Sequence, residues 1–383
     1  MQKSSVVLNR RGDPTPRVQR PPLSRHSAQH AYLNAIGTAV PPHDIHTAFI
    51  GWARDRLTDP RSAKLFDRMA ARAGIGHRWS VLPIGTDGGS PVDPGGFYAD
   101  AILPGTAARM DLYADAAPTL GLAAIEALRA QVDLDEITHV VVASCTGFVA
   151  PGIDQIIARR LGLAPSVERL LIGFMGCYAA VAALRTARHL VRSEPAARVL
   201  VLCVELSTLH LQDTPEIEPL LAMLQFGDGA AAALVTADPS GFRLGQPFAT
   251  TLDDTHDLIR WAITDQGFAM HLSGEVPGRI AQALVDPAFA AAATGGRAPQ
   301  EIDGWAVHAG GRSILDAVQH GLTLPPAALD ASRAVLAENG NMSSATLMFV
   351  LARLLAGPPI QDGVALAFGP GLAAEGFAFA SVP

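Results

Sequence analysis

The stretch that decides the fold of this chain is LLIGFMGCYAAVAAL, residues 170–184. Its first residues, Leu170–Ile172, form a short aliphatic run that is typical of a buried strand. A turn with two glycines follows, and Tyr178–Val191 then shows the spacing of an apolar helix. Cys177 lies where the turn becomes the helix. The stretch therefore predicts a strand–turn–helix unit that presents a cysteine at the N-terminus of a helix.

Strand-like and helix-like segments alternate on both sides of this unit, from residue 31 onward. Uninterrupted β-branched and aliphatic runs suit strands of a sheet that is covered on both faces. Such runs are Val140–Ala143, Val199–Val204, Ala230–Val235, Trp305–Val307 and Val364–Phe368. Helical spacing is found in Ala116–Val132, Asp154–Leu161, Ser313–Gln319, Pro326–Glu338 and Ser344–Leu355. The alternation predicts an α/β fold with parallel strands.

The chain also contains an approximate internal repeat. The cysteine turn and its alanine-rich helix (176–191) are mirrored by Asn341–Ser344 and the apolar helix that follows. In each half a strand and a glycine-rich turn come next, at 226–229 and at 368–371. We therefore expect two similar halves, residues 31–238 with the cysteine and residues 239–383 with a histidine and an asparagine.

Composition excludes several classes of protein. The 383 residues suit two domains of roughly 150–200 residues. Hydrophobic residues make up 49% and charged residues 17%, which indicates a large buried fraction. A net charge of −7 without a basic stripe excludes a nucleic-acid binder of the basic kind. The longest run without charged residues or histidine, residues 170–184, is too short and too interrupted for a membrane span. We expect a soluble enzyme.

Residues 1–30 differ from the rest and predict a flexible, basic N-terminal arm, free or packed on a partner subunit. Asp13 is opposed there by six basic residues: Lys3, Arg10, Arg11, Arg17, Arg20 and Arg25. The arm lacks the apolar segment of a secretory signal, and a targeting peptide is the alternative interpretation. The chain has three cysteines without a CxxC pair, which fits a reducing cytoplasm and no metal cluster.

Three residues are candidates for catalysis. A helix N-terminus would stabilise the thiolate of Cys177, although a buried structural cysteine is the alternative. His308 directly follows the strand-like Trp305–Val307, and α/β sheets place ligand chemistry at the carboxyl ends of their strands. Asn341 precedes a helix, where it could instead serve only as a cap. Each signal is weak alone, and their combination in one chain favours an active site.

Five separated motifs in this chain resemble those of type III polyketide synthases, the chalcone-synthase-like members of the thiolase superfamily. They are Gly176-Cys177-Tyr178, Phe226-Gly227-Asp228-Gly229, His308-Ala309-Gly310-Gly311, Gly340-Asn341-Met342-Ser343-Ser344-Ala345 and Phe368-Gly369-Pro370-Gly371-Leu372. The resemblance covers about residues 31–383 and implies a thiolase-like αβαβα layered fold with two pseudo-repeated halves, in a homodimer. Ketoacyl-carrier-protein synthase III is the nearest relative to exclude. It typically has His-Gln-Ala-Asn after the histidine strand and lacks the Phe-Gly-Pro-Gly-Leu ending, so this chain differs in both.

The resemblance also implies a reaction. An acyl group passes from CoA to Cys177, malonyl-CoA loses CO2, and a Claisen condensation follows. A His308 imidazolium would lower the pKa of Cys177. His308 and Asn341 would donate hydrogen bonds to the enolate oxygen. The CoA thioesters are substrates, and no metal or other cofactor is expected.

The same resemblance assigns a substrate pocket. Phe226 matches a gatekeeper phenylalanine, and Met270 stands at the second gatekeeper position. Ala150 replaces a larger residue, which would open a side tunnel, whereas Trp261 would fill part of the elongation cavity unless it serves core packing. The remaining pocket candidates are Cys145, Thr146, His210 and Ser343.

A basic helix face is the candidate site for the phosphates of CoA. Arg68 and Arg72 are four residues apart and would lie on one side of a helix. Lys64 stands beside a position where the family has a lysine. A solvated helix face without a ligand is the alternative.

We therefore expect a type III polyketide synthase, an acyltransferase. The expected starter is a medium- or long-chain acyl-CoA, extended with malonyl-CoA to alkylpyrones or alkylresorcinols. One alternative is a synthase that uses malonyl-CoA alone and makes a tetrahydroxynaphthalene or phloroglucinol type of product. The other is a non-catalytic acyl-binding subunit.

Overall fold

The computed structural model describes residues 29–86 and 88–382, so nearly all of the predicted basic arm lies outside the described residues. The strands are β1 Tyr32–Ala39, β2 His43–Asp44, β3 Trp79–Ser80, β4 His139–Ser144, β5 Glu168–Gly173, β6 Val199–Leu206, β7 Asp228–Thr236, β8 Phe242–Thr251, β9 Ile259–Thr264, β10 Gly267–Leu272, β11 Gly304–Val307, β12 Gly363–Gly369 and β13 Ala373–Ser381. The helices are α1 His46–Arg56, α2 Pro60–Arg72, α3 Thr106–Arg129, α4 Ile153–Arg160, α5 Ala179–Ser193, α6 Ile217–Met223, α7 Val276–Val285, α8 Pro287–Thr294, α9 Arg312–Gly321, α10 Asp330–Asn339 and α11 Ser344–Leu355.

Nine of the strands form one sheet in the order β11-β12-β13-β8-β1-β7-β6-β4-β5. Only β4–β5, β4–β6 and β11–β12 pair in parallel, so the expectation of parallel strands is met in part. Two residue pairs, Tyr32 with Arg243 and Leu33 with Phe242, join β1 to β8. The sheet is therefore two half-sheets connected by a narrow junction.

Helices α5 and α11 pack between the two half-sheets and contact strands of both. Along β6, Val201 and Cys203 face this central layer, whereas Leu200 and Leu202 face the outer core with α3. Both faces of the strand are buried, which explains its uninterrupted apolar sequence. With α8 and α10 packed on the far half-sheet, the predicted order of five layers, αβαβα, is confirmed.

The two halves repeat one arrangement. After α5, strand β6 pairs in parallel with β4 and antiparallel with β7. After α11, strand β12 pairs in parallel with β11 and antiparallel with β13. The two central helices therefore each begin at a carboxyl end of the sheet, and this brings the cysteine turn and the asparagine turn together.

Two elements differ from the sequence-based expectation. Helix α3 begins at Thr106, well before the predicted Ala116, and continues through Pro118. Strand β5 is mostly exposed rather than buried, because it forms the outer edge of the sheet. A run of apolar residues thus marks a surface strand here.

A small hairpin lies outside the main sheet and reaches over the site. Strands β9 and β10 pair with each other, which places Trp261 opposite Met270. The turn of the hairpin is fastened to the start of α3, where the Thr106 N–H donates to the Asp265 carbonyl at 2.9 Å. The Gly267 N–H donates to the Thr106 hydroxyl at 2.7 Å.

Candidate active site

Cys177 lies in a short 3-10 turn that runs directly into α5. Gly176, just before it, has a φ of +75°, and a Cβ there would lie 2.4 Å from Cδ of Pro370. A Cβ at Gly369 would lie 2.6 Å from the ring of Tyr178. The C-terminal glycine motif therefore packs on the cysteine turn, and both contacts require glycine.

Asn341 lies next to Cys177 with a fixed orientation. Its Oδ1 accepts the Ser343 N–H at 2.8 Å, and its Nδ2 donates to the Gly310 carbonyl at 3.2 Å. The side chains of Ser343 and Asn341 also hydrogen-bond to the Cys177 thiol. The N-cap of α11 is Ser343, whose side chain makes no capping bond. Asn341 therefore links the loop after His308 to the start of α11.

Two glycine-rich segments of the two halves are joined by backbone bonds. The Asn341 N–H donates to the Gln225 carbonyl at 2.8 Å, and the Gly227 N–H donates to the Asn341 carbonyl at 3.1 Å. A Cβ at Gly229 would lie 2.3 Å from Sδ of Met342. This close approach fixes Phe226 beside Asn341.

His308 is buried at the end of β11, and neither ring nitrogen has a hydrogen-bond partner in the described residues. Burial lowers the pKa of His308 to about 3. Burial likewise raises the pKa of the Cys177 thiol to about 11, more than its hydrogen bonds lower it. Burial thus favours the uncharged form of both groups, because each loses water without gaining an opposite charge. The stabilisation of a Cys177 thiolate by a His308 imidazolium stays a prediction.

Glu205 is a buried carboxyl group beside the site that the sequence analysis missed. It accepts hydrogen bonds from the Cys145 N–H and the Thr146 hydroxyl, both at 2.9 Å, and from the Ser344 hydroxyl. Burial raises its pKa to about 7. Its signal in the sequence is a single acidic residue inside the aliphatic run of β6.

Cys177 opens into an enclosed space of about 390 Å³, which we call the thiol cavity. Six predicted pocket residues line it: Cys145, Thr146, Phe226, Trp261, Met270 and Ser343. The analysis of the sequence missed three further lining residues, Phe174, Ile259 and Pro370. The structure thus brings most of the predicted pocket to the nucleophile.

A second space of about 780 Å³, the apolar cavity, lies beyond one wall of the thiol cavity. It is formed by α1, the segment 82–98, α6 and the hairpin β9–β10. Its lining residues include Phe49, Trp52, Leu82, Val92, Tyr98, Ala222 and Phe268. Phe226, Trp261 and Met270 line both spaces. We call these three side chains the partition.

His210 lines the apolar cavity, but its ring is fully engaged. Nε2 donates to the Thr146 carbonyl at 2.7 Å, and Nδ1 accepts the Phe268 N–H at 3.1 Å. The ring also stacks on Phe268 at 4.2 Å. Burial lowers its pKa to about 3, so His210 is a neutral wall residue without a free nitrogen.

Ala150 is exposed and lines neither cavity of the described chain, so the side tunnel stays a prediction. It lies in the surface segment that follows β4. The space beside the thiol cavity is instead provided by α1, α6 and the segment 82–98. These elements carry none of the motifs.

The predicted basic face exists on α2. Lys64, Arg68 and Arg72 are all exposed and follow at intervals of four residues. Arg312, at the start of α9, joins them through a bond from Nη1 to the Arg72 carbonyl at 3.2 Å. The sequence analysis missed Arg312, although it directly follows the glycines after His308.

Two features are absent from residues 29–86 and 88–382. No group of three or more metal-binding side chains there is arranged to hold a metal ion. In the same residues, no helix has both the length and the apolar character needed to cross a membrane.

A five-layered fold with a cysteine at the start of a central helix, a buried histidine and an adjacent asparagine defines a thiolase-like protein. The chain belongs to the chalcone and stilbene synthase family. Residues 21–239 match the N-terminal domain of chalcone and stilbene synthases, and residues 244–383 match their C-terminal domain.

Individual relatives agree with this family. The chain is 36% identical over 255 residues to the alpha-pyrone synthesis polyketide synthase-like Pks18 of Mycobacterium tuberculosis and of Mycobacterium bovis. That match spans 64% of this chain and 65% of the length of those relatives. The structure of PKS-I from the brown alga Ectocarpus siliculosus superimposes with a TM-score of 0.83 at 29% identity, over 94% of this chain and 100% of the other. The type III polyketide synthase domain of Steely1 from Dictyostelium shares the fold, with a TM-score of 0.81 at 24% identity over 92% of this chain and 100% of the other.

Proposed function

We propose that the protein is a type III polyketide synthase that loads a medium- or long-chain acyl group on Cys177 and extends it with malonyl-CoA. The observation that supports this choice is the apolar cavity, which shares the three side chains of the partition with the thiol cavity. Ligand sites are usually lined mainly by apolar side chains with a few polar groups. An alkyl tail beyond the partition would leave its thioester carbon at Cys177.

Loading uses Cys177 as the nucleophile and His308 as the base. Cys177 Sγ attacks the carbonyl carbon of the acyl-CoA thioester, and His308 accepts the thiol proton. The tetrahedral intermediate then expels the CoA thiolate, which takes this proton back from the imidazolium. His308 can act in this way because neither ring nitrogen is engaged by other described residues.

Decarboxylation of malonyl-CoA then supplies the nucleophilic carbon. The C–C bond to the carboxylate breaks, CO2 leaves, and the electron pair forms an enolate on the thioester oxygen. The Asn341 amide and His308 Nε2–H donate to that oxygen, and each such donor typically changes the rate by about 10²–10³. The enolate carbon attacks the Cys177 thioester, and the thiolate leaves. This scheme requires no metal or other cofactor.

The apolar wall around Phe226 assists loss of the carboxylate. Phe226 is held by the bonds of its two chain neighbours to Asn341 and by Arg78, whose Nη1 donates to the Phe226 carbonyl at 2.8 Å. A charged malonyl carboxylate beside this ring loses solvation, whereas neutral CO2 does not. Phe226 thus favours the products of the step.

The basic group of α2 and α9 is the proposed site for the CoA phosphates. Lys64, Arg68 and Arg72 present three cations on one exposed helix face. Arg312 adds a fourth cation beside the loop that leads to His308. Phosphates bound there would direct the pantetheine arm toward the active site.

We propose alkylpyrone or alkylresorcinol products, and the pyrone class agrees with the name of the mycobacterial relatives. The test measures kcat/KM for acetyl-, hexanoyl- and lauroyl-CoA with malonyl-CoA and identifies products by mass. We expect kcat/KM to rise with chain length. Turnover of malonyl-CoA alone would instead indicate a tetrahydroxynaphthalene or phloroglucinol type of product. An acyl-enzyme without malonyl decarboxylation would indicate an acyl-binding subunit.

We also propose a homodimer formed through β5. Within the described part of the chain no strand pairs with its outer edge, and Leu170 and Leu171 are 45% and 40% exposed. Phe148 and Phe174 extend this apolar surface and contact each other at 5.7 Å. A two-fold axis beside β5 would pair the edges of two copies and cover this surface. Sedimentation of Leu171→Glu tests this proposal, and we expect a shift from dimer to monomer.

The compartment we infer is reducing, such as the cytoplasm. Cys145, Cys177 and Cys203 are all free thiols. Covalent loading requires Cys177 in its reduced form, which such a compartment maintains.

A further inference from the structure

The partition contains one strong hydrogen-bond donor that the reaction scheme above does not use. Phe226 has no polar side-chain atom, and Met270 offers only a thioether. Trp261 carries an indole N–H, and its Nε1 is buried without an acceptor in the described residues. Buried donors in proteins are nearly always paired. An unpaired donor at the boundary of two cavities suggests that a ligand supplies the acceptor.

The indole ring is held in place from several sides. It makes edge-to-face contacts with His210 at 6.0 Å, with Phe226 at 6.4 Å and with Phe268 at 6.4 Å. Its strand pairs with β10, where Met270 is the opposite residue. Trp261 therefore presents a pre-oriented donor rather than a mobile side chain.

Neighbouring polar groups are already engaged. The Thr146 hydroxyl donates to Glu205 and accepts the Leu206 N–H. Both nitrogens of His210 have partners. Ser343 hydrogen-bonds to Cys177. Trp261 thus offers a free donor in a wall whose other polar groups are satisfied.

The chemistry of chain elongation determines which hydrogen-bond acceptor reaches Trp261. An alkyl starter has no acceptor beyond its thioester carbonyl. Each malonyl extension adds two carbons, and the extended chain returns from CoA to Cys177 with release of the CoA thiol. The former thioester carbonyl is then a ketone two carbons further from Cys177, so an acceptor appears at every second carbon. We propose, on the basis of the function proposed above, that Trp261 Nε1–H binds a keto oxygen of the elongating β-ketoacyl chain. Trp261 then distinguishes extended chains from starters.

Three variants separate the donor from the bulk of the ring. Trp261→Phe removes the N–H and keeps an aromatic ring, Trp261→Leu also removes bulk, and Trp305→Phe is a matched control on β11 that lines neither cavity. The measurements are acyl loading from lauroyl-CoA by intact mass, and extension of 3-oxolauroyl-CoA with malonyl-CoA. For Trp261→Phe we expect unchanged loading, extension slowed roughly three- to tenfold and an unchanged longest product. Trp261→Leu should yield longer products.

Extension by Trp261→Phe at the wild-type rate would overturn the inference, and so would product changes identical to those of Trp261→Leu. If the Trp261→Phe variant cannot be acylated, indole ¹⁵N–¹H spectra of the wild-type protein test the inference instead. The Nε1–H resonance should move downfield with a 3-oxolauroyl group on Cys177 and not with a lauroyl group, and equal spectra would overturn the inference. A wild-type enzyme that makes no product from any acyl-CoA overturns the proposed function itself. If the wild type is active and Trp261→Phe extends 3-oxolauroyl-CoA at the same rate, only the role of the indole is overturned.

Discussion

The thiol cavity and the apolar cavity share three side chains but are built in different ways. The thiol cavity is assembled from glycine-containing turns of both halves, joined by backbone bonds such as that from the Asn341 N–H to the Gln225 carbonyl. The apolar cavity is formed mainly by side chains of α1, α6 and the segment 82–98. Its shape depends on side-chain volume rather than on hydrogen bonds.

This difference separates catalysis from selectivity. The turns that form the thiol cavity tolerate little substitution, because a side chain at Gly176 or Gly369 would produce a steric overlap. Residues of the apolar cavity can change in size without disturbing any backbone bond, since most are apolar side chains. Changes in the first region should therefore affect every substrate, and changes in the second should affect substrates according to their length.

The largest effect is expected from Cys177→Ala. Removing the nucleophile should eliminate the acyl adduct in intact mass spectra and lower product formation roughly 10³-fold or more. The control is Cys203→Ala, which alters a buried cysteine that lines neither cavity. An adduct at wild-type stoichiometry in Cys177→Ala would refute the assignment.

Asn341→Ala should slow malonyl-CoA decarboxylation by about 10²–10³, with similar losses for every starter, because it removes one donor to the enolate. Asn339→Ala is the matched control in the same segment, since its amide bonds to the Val335 carbonyl and to Trp79. We expect that control to lower the melting temperature while decarboxylation continues. If both variants behaved alike, Asn341 would have only a structural role.

Ala48→Phe should lower kcat/KM for long starters more than for short ones. A phenyl group on α1 would occupy part of the apolar cavity and displace a few methylenes, each worth about 0.8 kcal/mol. We expect kcat/KM for lauroyl-CoA to fall roughly ten- to hundredfold, with acetyl-CoA unaffected. Ala150→Phe places the same side chain on the surface, outside both cavities, and should leave the ratio unchanged. A loss of lauroyl-CoA turnover in Ala150→Phe alone would support the side tunnel predicted from the sequence.

The smallest effect concerns Glu205 and the dependence of stability on pH. Burial raises its pKa from 4.5 to about 7 in the folded state. The folded protein therefore binds this proton more tightly than the unfolded chain, and its charged form destabilises the fold increasingly between about pH 4.5 and pH 7. Glu205→Gln should raise the melting temperature relative to wild type. This increase should be larger at pH 8 than at pH 5, by roughly a few degrees. The exposed carboxyl variant Glu126→Gln is the control, and an equal difference at both pH values would contradict the expectation.

The sequence predicted the thiol cavity better than the apolar one, for a physical reason. Gly176, Cys177 and Asn341 stand in turns where close backbone approach restricts the residue type, so they form recognisable motifs. The five layers were predicted because buried strands such as β6 leave uninterrupted apolar runs. Both signals are local in the chain.

Properties that depend on distant segments were not predictable in this way. The cavity wall near Ala48 and Val92 arises only when α1 and the segment 82–98 pack together. The pKa of the Cys177 thiol depends on how completely the fold removes water from it, which no spacing reveals. Strand β5 reads as buried because its sequence is apolar, and the structure places it at an edge.

The contact between Gly176 and Pro370 has a consequence for synthesis of the protein on the ribosome. Pro370 is one wall of the thiol cavity and lies 193 residues after Cys177 in the chain. A nascent chain that has exposed Cys177 but not yet Pro370 has a cysteine without its cavity. The thiol cavity is therefore completed only after these 193 further residues have been synthesised, and cellular acyl thioesters meet no working site on a shorter chain.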